Sequence, residues 1–140
     1  MDKIIFSKID ETNIHSCFNL NQDNVPEVGS TTVEEFDNLA KNSDFNLCVT
    51  LGEKIIGFLI CFQDTSKTKS FMYKIKHNNF NEFKNRINNF MYIDRIAIDV
   101  KYRNNGLATM FYEYLLEHCL EANIENLTAE INILPTENEP

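Results

Sequence analysis

Apolar positions along the chain follow two different periods, and the change from one to the other marks its elements. Residues 106–124 repeat at helical spacing: Leu107, Met110, Phe111, Tyr114, Leu115 and Cys119 share one face, which predicts the longest helix. Before it, "MYIDRIAIDV" (91–100) is β-branched and predicts a strand, and "NLTAEINI" (126–133) predicts another. Upstream, "FNLCVTL" (45–51) and "KIIGFLICF" (54–62) flank Gly52-Glu53 and predict an antiparallel hairpin. The second of these strands is apolar on both faces, as a central strand is.

The remaining segments are shorter. "KIIFSKI" (3–9) predicts the first strand. Residues 11–20 set Ile14, Cys17, Phe18 and Leu20 near one helical face. A loop follows over 21–29, punctuated by Pro26 and Gly29. Thr32 and Glu35 fit a capping box ahead of the stripe Val33, Phe36, Leu39 and Ala40. "QDTSKTKS" (63–70) reads as a loop, and Phe80, Phe83, Ile87 and Phe90 could line one helix, either packed on the sheet or lying as a flap over a pocket. Strand, helix and strand over 91–133 form a βαβ unit, so the last two strands should be parallel neighbours. The expected class is α/β (α+β): a mixed central sheet flanked by helices, in a single domain over residues 1–140.

Composition narrows the function classes. No apolar run approaches the ~18 residues of a membrane span, and the first ten residues lack a signal-peptide pattern, so a cytoplasmic protein without a membrane partner is expected. The formal net charge of −8 argues against nucleic acid and suits a cationic substrate. Cys17, Cys48, Cys61 and Cys119 sit in apolar patterns with no CxxC pair, and are expected as buried free thiols. His15, His77 and His118 are scattered, so no metal site is expected.

Between strand and long helix lies "YRNNGLAT" (102–109). A helix start has unpaired N–H groups and a partial positive charge, and so binds phosphate. Gly106 and the small Ala108 would let backbone approach an anion, and Arg103 would add charge. Neither a Walker loop nor a GxGxxG fingerprint is present.

The stretch "YIDRIAIDVKYRNNGLATMFYEYL" resembles the acetyl-CoA-binding motif of the GNAT N-acetyltransferase superfamily: a strand, then [RQ]-x-x-G-x-[GA], then a helix. The order of the other elements is also similar, over nearly the whole chain. "NLNQDNVPEVG", "GFLI" and "MYIDRIAID" resemble in particular a group of predicted bacterial acetyltransferases. The resemblance implies the GNAT acyl-CoA N-acyltransferase fold, with acetyl-CoA as co-substrate and an amine as acceptor. It implies that Ile96, Ala97 and Ile98 line acetyl-CoA. It also implies that backbone amides of Arg103, Asn104, Asn105, Gly106, Leu107 and Ala108 hold the pyrophosphate. Asn138 falls on an Asn of the family's next helix. The loop between the first two helices forms part of the family's substrate wall, which makes Asn21 and Glu27 polar candidates. Asn104-Asn105 stands where Gly-Lys or Gly-Arg is frequent, and Val100 where proline is common. The chain ends at Pro140, before the family's Ser-x-x-Phe helix and final strands, so a C-terminally incomplete domain is expected and no catalytic acid is assigned.

In the family the amine attacks the thioester directly. Alternation along strand 91–100 sets Tyr92, Asp94, Ile96 and Ile98 on one face, with Arg95 on the other. Asp94 is then the candidate base or amine contact and Tyr92 a second candidate catalytic residue, unless a bulge shifts the alternation. The competing reading is a non-catalytic acyl-CoA-binding or regulatory module. A homodimer, paired through the last strand, is a further expectation.

Overall fold

The computed structural model describes residues 3–129. Along the chain run β1 (Ile4–Ser7), α1 (Ile14–Asp23), α2 (Val33–Asn42), β2 (Phe45–Leu51), β3 (Lys54–Gln63), α3 (Ser66–Lys74), α4 (Asn78–Lys84), β4 (Phe90–Ile98), a 3-10 turn (Val100–Tyr102), α5 (Leu107–Glu121) and β5 (Asn126–Ala129). The sheet order follows the chain, β1-β2-β3-β4-β5. The first three pairings are antiparallel and β4–β5 is parallel, as the βαβ pattern predicts.

Two apolar layers clamp this sheet. One face carries Phe58, Ile60, Phe62, Phe90 and Tyr92 against Ile14, Cys17, Leu20 and Phe36 of α1 and α2. The other carries Leu59, Cys61, Met91 and Ile93 against Leu107, Phe111, Leu115 and Cys119 of α5. β3 is buried along nearly its full length because both layers rest on it. α5 sits so close that a Cβ on Gly57 would meet Phe111 Cε2 at 3.1 Å and Ile98 Cδ1 at 3.0 Å. The four cysteines are buried and free. Among the described residues no helix is long and apolar enough to cross a membrane.

The capping box on α2 is present: the Thr32 hydroxyl accepts from Glu35 N, and the Glu35 carboxylate accepts from Thr32 N. Elsewhere the chain departs from its pattern. "QDTSKTKS" is not a loop: residues 66–70 open α3, capped by Thr65. Its register is held by tertiary contacts that periodicity does not show, Thr68 donating to Asp44 at 2.7 Å and Met72 in the core. The stripe Phe80, Phe83, Ile87, Phe90 does not share one helix: α4 stops at Lys84, and Phe90 opens β4. On α5 only Leu107, Phe111, Leu115 and Cys119 are buried; Met110 and Tyr114 are more exposed, because the sheet covers a stripe about one residue wide. β1 is shorter than 3–9, and β5 is described only to Ala129.

Candidate active site

β4 carries an irregularity. Ile60 pairs with Arg95, but the next residue of β3, Cys61, pairs with Ile93, so Asp94 is the extra residue of a β-bulge. The bulge corrects the face assignment read from simple alternation. Phe90, Tyr92 and Ala97 belong to the α1 side, while Met91, Ile93, Ile96 and Ile98 belong to the α5 side. Tyr92 therefore does not share a face with Ile96 and Ile98. Arg95 does not point away from Asp94 but lies beside it.

Asp94 is the hub of a buried polar cluster, its side chain only 3% exposed. One carboxylate oxygen accepts from His77 Nε2 at 2.6 Å and the other from Arg95 Nε at 2.9 Å. His77 Nδ1 accepts the Phe80 N–H at the start of α4. That bond fixes the tautomer: the ring proton sits on Nε2 and is donated to Asp94. Burial pushes the Asp94 carboxyl up, but the His77 hydrogen bond and the Arg95 guanidinium outweigh it and hold the group below its ordinary 3.8. Both oxygens being engaged, Asp94 is arranged as an anchor. Tyr92 is buried among His77, Phe80 and Phe83, its ring 5.5 Å from the His77 ring and nearly perpendicular to it.

Arg95 extends the cluster to the loop after α1. Its Nη1 donates to Asn21 Oδ1 at 2.9 Å and to Gly29 O at 3.1 Å. Asn21 is thus buried scaffold rather than an exposed wall residue. A second arginine holds the same loop from the other side: Arg103 Nη2 donates to Asn24 Oδ1 and its Nε to Ile98 O. Val28 is buried between the two anchors, and Glu27 is exposed.

Two cavities meet over β4. One, about 470 Å³, lies at the turn before α5 and is lined by Ile96, Ala97, Ile98, Arg103, Asn104, Gly106, Leu107 and Ala108, with Asn24 and Tyr102 at its edge. The other, about 370 Å³, lies over the bulge and is lined by His77, Tyr92, Asp94 and Arg95, with Ala129 on its rim. Glu27, Ile96 and Tyr112 line both. Pairing between β4 and β5 is described as far as Ile93 and Ala129, and both residues line the second cavity.

The turn suits an anion. Gly106 takes φ +80°, and a Cβ there would meet nothing within 4 Å. Asn104 also takes a positive φ, 66°, which asparagine tolerates better than most residues, so it can stand where the family favours glycine. The N-terminus of α5, like that of α1, has no side-chain cap and no acidic residue in its first turn. Gly106, Leu107, Ala108 and Thr109 at that N-terminus line the first cavity, at the positive end of the helix dipole.

A model of the acetyltransferase (GNAT) family matches residues 12–138. The chain belongs to the GNAT acetyltransferase family. Solved structures agree on the fold. The GNAT domain superposes on ribosomal-protein-S18-alanine N-acetyltransferase from Escherichia coli with TM-score 0.66 at 14% identity, covering 98% of this chain and 70% of that one. It superposes on Ard1 from Thermoplasma volcanium with TM-score 0.69 at 15% identity, covering 97% and 74%. An aminoglycoside N-acetyltransferase, AAC(6')-Iy, in complex with CoA gives TM-score 0.66 at 8% identity, covering 94% and 79%. No curated protein sequence matches the chain.

Of the GNAT turn residues singled out from sequence, all but Asn105 line the first cavity; the Asn105 side chain donates to the carbonyls of Tyr102 and Arg103. Asn138 lies outside the described residues. Sequence reasoning missed His77 and Tyr112. Nothing local links His77 to a carboxylate 17 residues away, and Tyr112 looks like one more helix aromatic until the cavities are seen.

Proposed function

We propose that this GNAT domain transfers the acetyl group of acetyl-CoA to a primary amine by direct attack of nitrogen on the thioester. The observation that carries the reading is a pair of cavities that share Glu27, Ile96 and Tyr112: one at the turn before α5, at one end of β4, and a polar one over its bulge at the other. The amides of the turn and the first turn of α5 would receive the pyrophosphate, and the β4 edge at Ile96, Ala97 and Ile98 would carry the pantetheine arm. Ile98 O already accepts from Arg103, which leaves a second lone pair for the arm. Asp94 and Tyr92 enter this reading as positioning residues: they hold His77, Arg95 and the wall of the acceptor cavity in place.

A cationic acceptor suits the net charge of −8. A cytoplasmic location and a homodimer belong to the same reading. Among the described residues β5 pairs only with β4, and its other edge is where a second copy would add a strand.

The test is calorimetric titration of acetyl-CoA into the wild-type chain and into Gly106→Glu, followed by turnover with primary amines. Binding at micromolar concentration that the glutamate abolishes is the expected result. A folded wild-type chain that does not bind would refute the reading. Binding without acetylation of any amine would favour the non-catalytic module instead.

A further inference from the structure

Between β3 and β4 the chain spends residues 64–89 on α3, α4 and their turns, and this stretch carries a charge opposite to the rest. It holds six of the 13 Lys and Arg (Lys67, Lys69, Lys74, Lys76, Lys84 and Arg86) but two of the 21 Asp and Glu (Asp64 and Glu82). Its net charge is therefore +4 in a chain of −8, which leaves −12 on the remainder. Both acids are consumed locally. Asp64 accepts from Asn89 N at 2.8 Å and from Phe90 N at 3.0 Å. Glu82 pairs with Arg86 at 2.6 Å. Among the described residues the five lysines have no carboxylate partner.

The inner face of this unit is fixed. Thr68 donates to Asp44, Met72 and Phe80 are buried, and Phe71 stacks on Phe62 with ring centroids 6.0 Å apart. The outer face is an exposed, cationic surface on that support. Tyr73 is 73% exposed, and Lys84 Nζ lies 5.8 Å from its ring centroid. Lys69 stands one helical turn before Tyr73 on the same face. At the α3–α4 turn a cavity of about 430 Å³ is lined by Tyr73, Lys74, Lys76, Asn78 and Asn81. It offers two ammonium groups, two amides and an aromatic face, and none of the five is acidic. The same turn borders the cavity over the bulge. His77 and Asn79 line that cavity, while Lys76 and Asn78 line the outer one.

Resting on the acetyltransferase reading above, we infer that the outer face of α3–α4 docks an acidic polypeptide, and that this polypeptide carries the acceptor amine. The amine end enters the cavity over the bulge. Carboxylates farther along the same peptide lie on Lys74 and Lys76, and an apolar side chain covers the Tyr73 ring. Crossing the end of a helix takes about 10 Å, which is about three extended residues. The charge division fits a partner of mixed sign: an ammonium suits a chain whose remainder carries −12, and its neighbouring carboxylates suit the +4 unit. It fits a nucleic acid less well. A long polyanion would leave the patch and meet the acidic remainder, whereas a short acidic stretch stays within the ~8 Å screening length of the lysines. The unpaired cations are all lysines, which act as point charges, rather than arginines, which grip phosphate with two bonds.

The experiment uses peptides that share a free N-terminal amine and a short neutral spacer, followed by a run of glutamates, glutamines or lysines. Binding is read by fluorescence anisotropy of C-terminally labelled peptide, and acetylation by turnover with acetyl-CoA. Wild type should bind and acetylate the glutamate peptide about tenfold better than the glutamine peptide at low salt, and the lysine peptide worst. The preference should close near 1 M salt, where screening acts within about 3 Å. In Lys74→Glu/Lys76→Glu, KM for the glutamate peptide should rise about tenfold with kcat and melting little changed. Benzylamine, which is too short to reach the patch, should be turned over as by wild type. Lys74→Arg/Lys76→Arg should keep the preference. If wild type treats the glutamate and glutamine peptides alike, this inference is overturned while acetylation stands. If an oligouridine binds through Lys74 and Lys76 and the glutamate peptide does not, the partner is a nucleic acid and the inference is overturned. If no amine is acetylated but the glutamate peptide still binds through these lysines, the acetyltransferase reading and the acceptor role fail and the docking surface stands.

Discussion

Replacing Asp94 by asparagine tests the reading of the bulge as an anchor. The substitution keeps the shape but removes the charge and one acceptor oxygen. His77 Nε2–H and Arg95 Nε–H both point at this carboxylate, at 2.6 and 2.9 Å. An asparagine can accept from only one of them, and its NH2 then faces the other donor. Deleting one partner of a buried charge pair costs about 3–5 kcal/mol. Arg95 keeps Asn21 and Gly29 as partners, and asparagine keeps one acceptor, so the loss here should be about 2–4 kcal/mol. For a chain of this length about 3 °C of melting temperature goes with each kcal/mol, which makes the shift roughly 6–12 °C. The pH dependence carries its own sign. The folded carboxyl titrates below 3.8, so its contribution is full above that value and is lost as pH falls through the lower folded one. The difference between wild type and Asp94→Asn should therefore be constant from pH 6 to 8 and shrink in strongly acid solution. Melting followed by circular dichroism at several pH values measures both. A shift under 3 °C at pH 7, or a gap that does not close in acid, would refute the anchor.

Three further substitutions probe the frame. Gly57→Val should destabilise by about 1–3 kcal/mol, since its side chain must displace Ile98, Val49 and Phe111; denaturant unfolding would report it, and a neutral result would mean that α5 is free to lift from the sheet. Thr32→Ala removes the cap of α2 and should lower stability by about 1 kcal/mol in the same assay, with acetyl-CoA binding unaffected. Arg103→Ala frees Asn24 and takes a positive charge from the cleft, so acetyl-CoA should bind about tenfold more weakly at low salt. Affinity equal to wild type would place the charge outside the phosphate site.

Much of this protein is legible in one dimension. The hairpin, the capping box on α2, the long helix and the parallel βαβ unit depend on neighbours a few residues apart, and periodicity, turn residues and caps record such neighbours. The turn before α5 is legible for the same reason, since a helix start and a glycine in the left-handed region are local features. The segment 63–90 was not, because α3 is held by Thr68 on Asp44 and by Met72 in the core, contacts that no local repeat encodes. The polar site was legible only as a set of residue types. Simple alternation put Tyr92 and Asp94 on the face of Ile98, and one extra residue in β4 undid that. How each carboxylate is engaged was decided by groups distant in sequence: His77 and Arg95 converge on Asp94, while Glu27 stays exposed and lines both cavities. A sequence records the charges; burial and hydrogen-bond geometry, which need the packed sheet, decide how many of their lone pairs remain for chemistry.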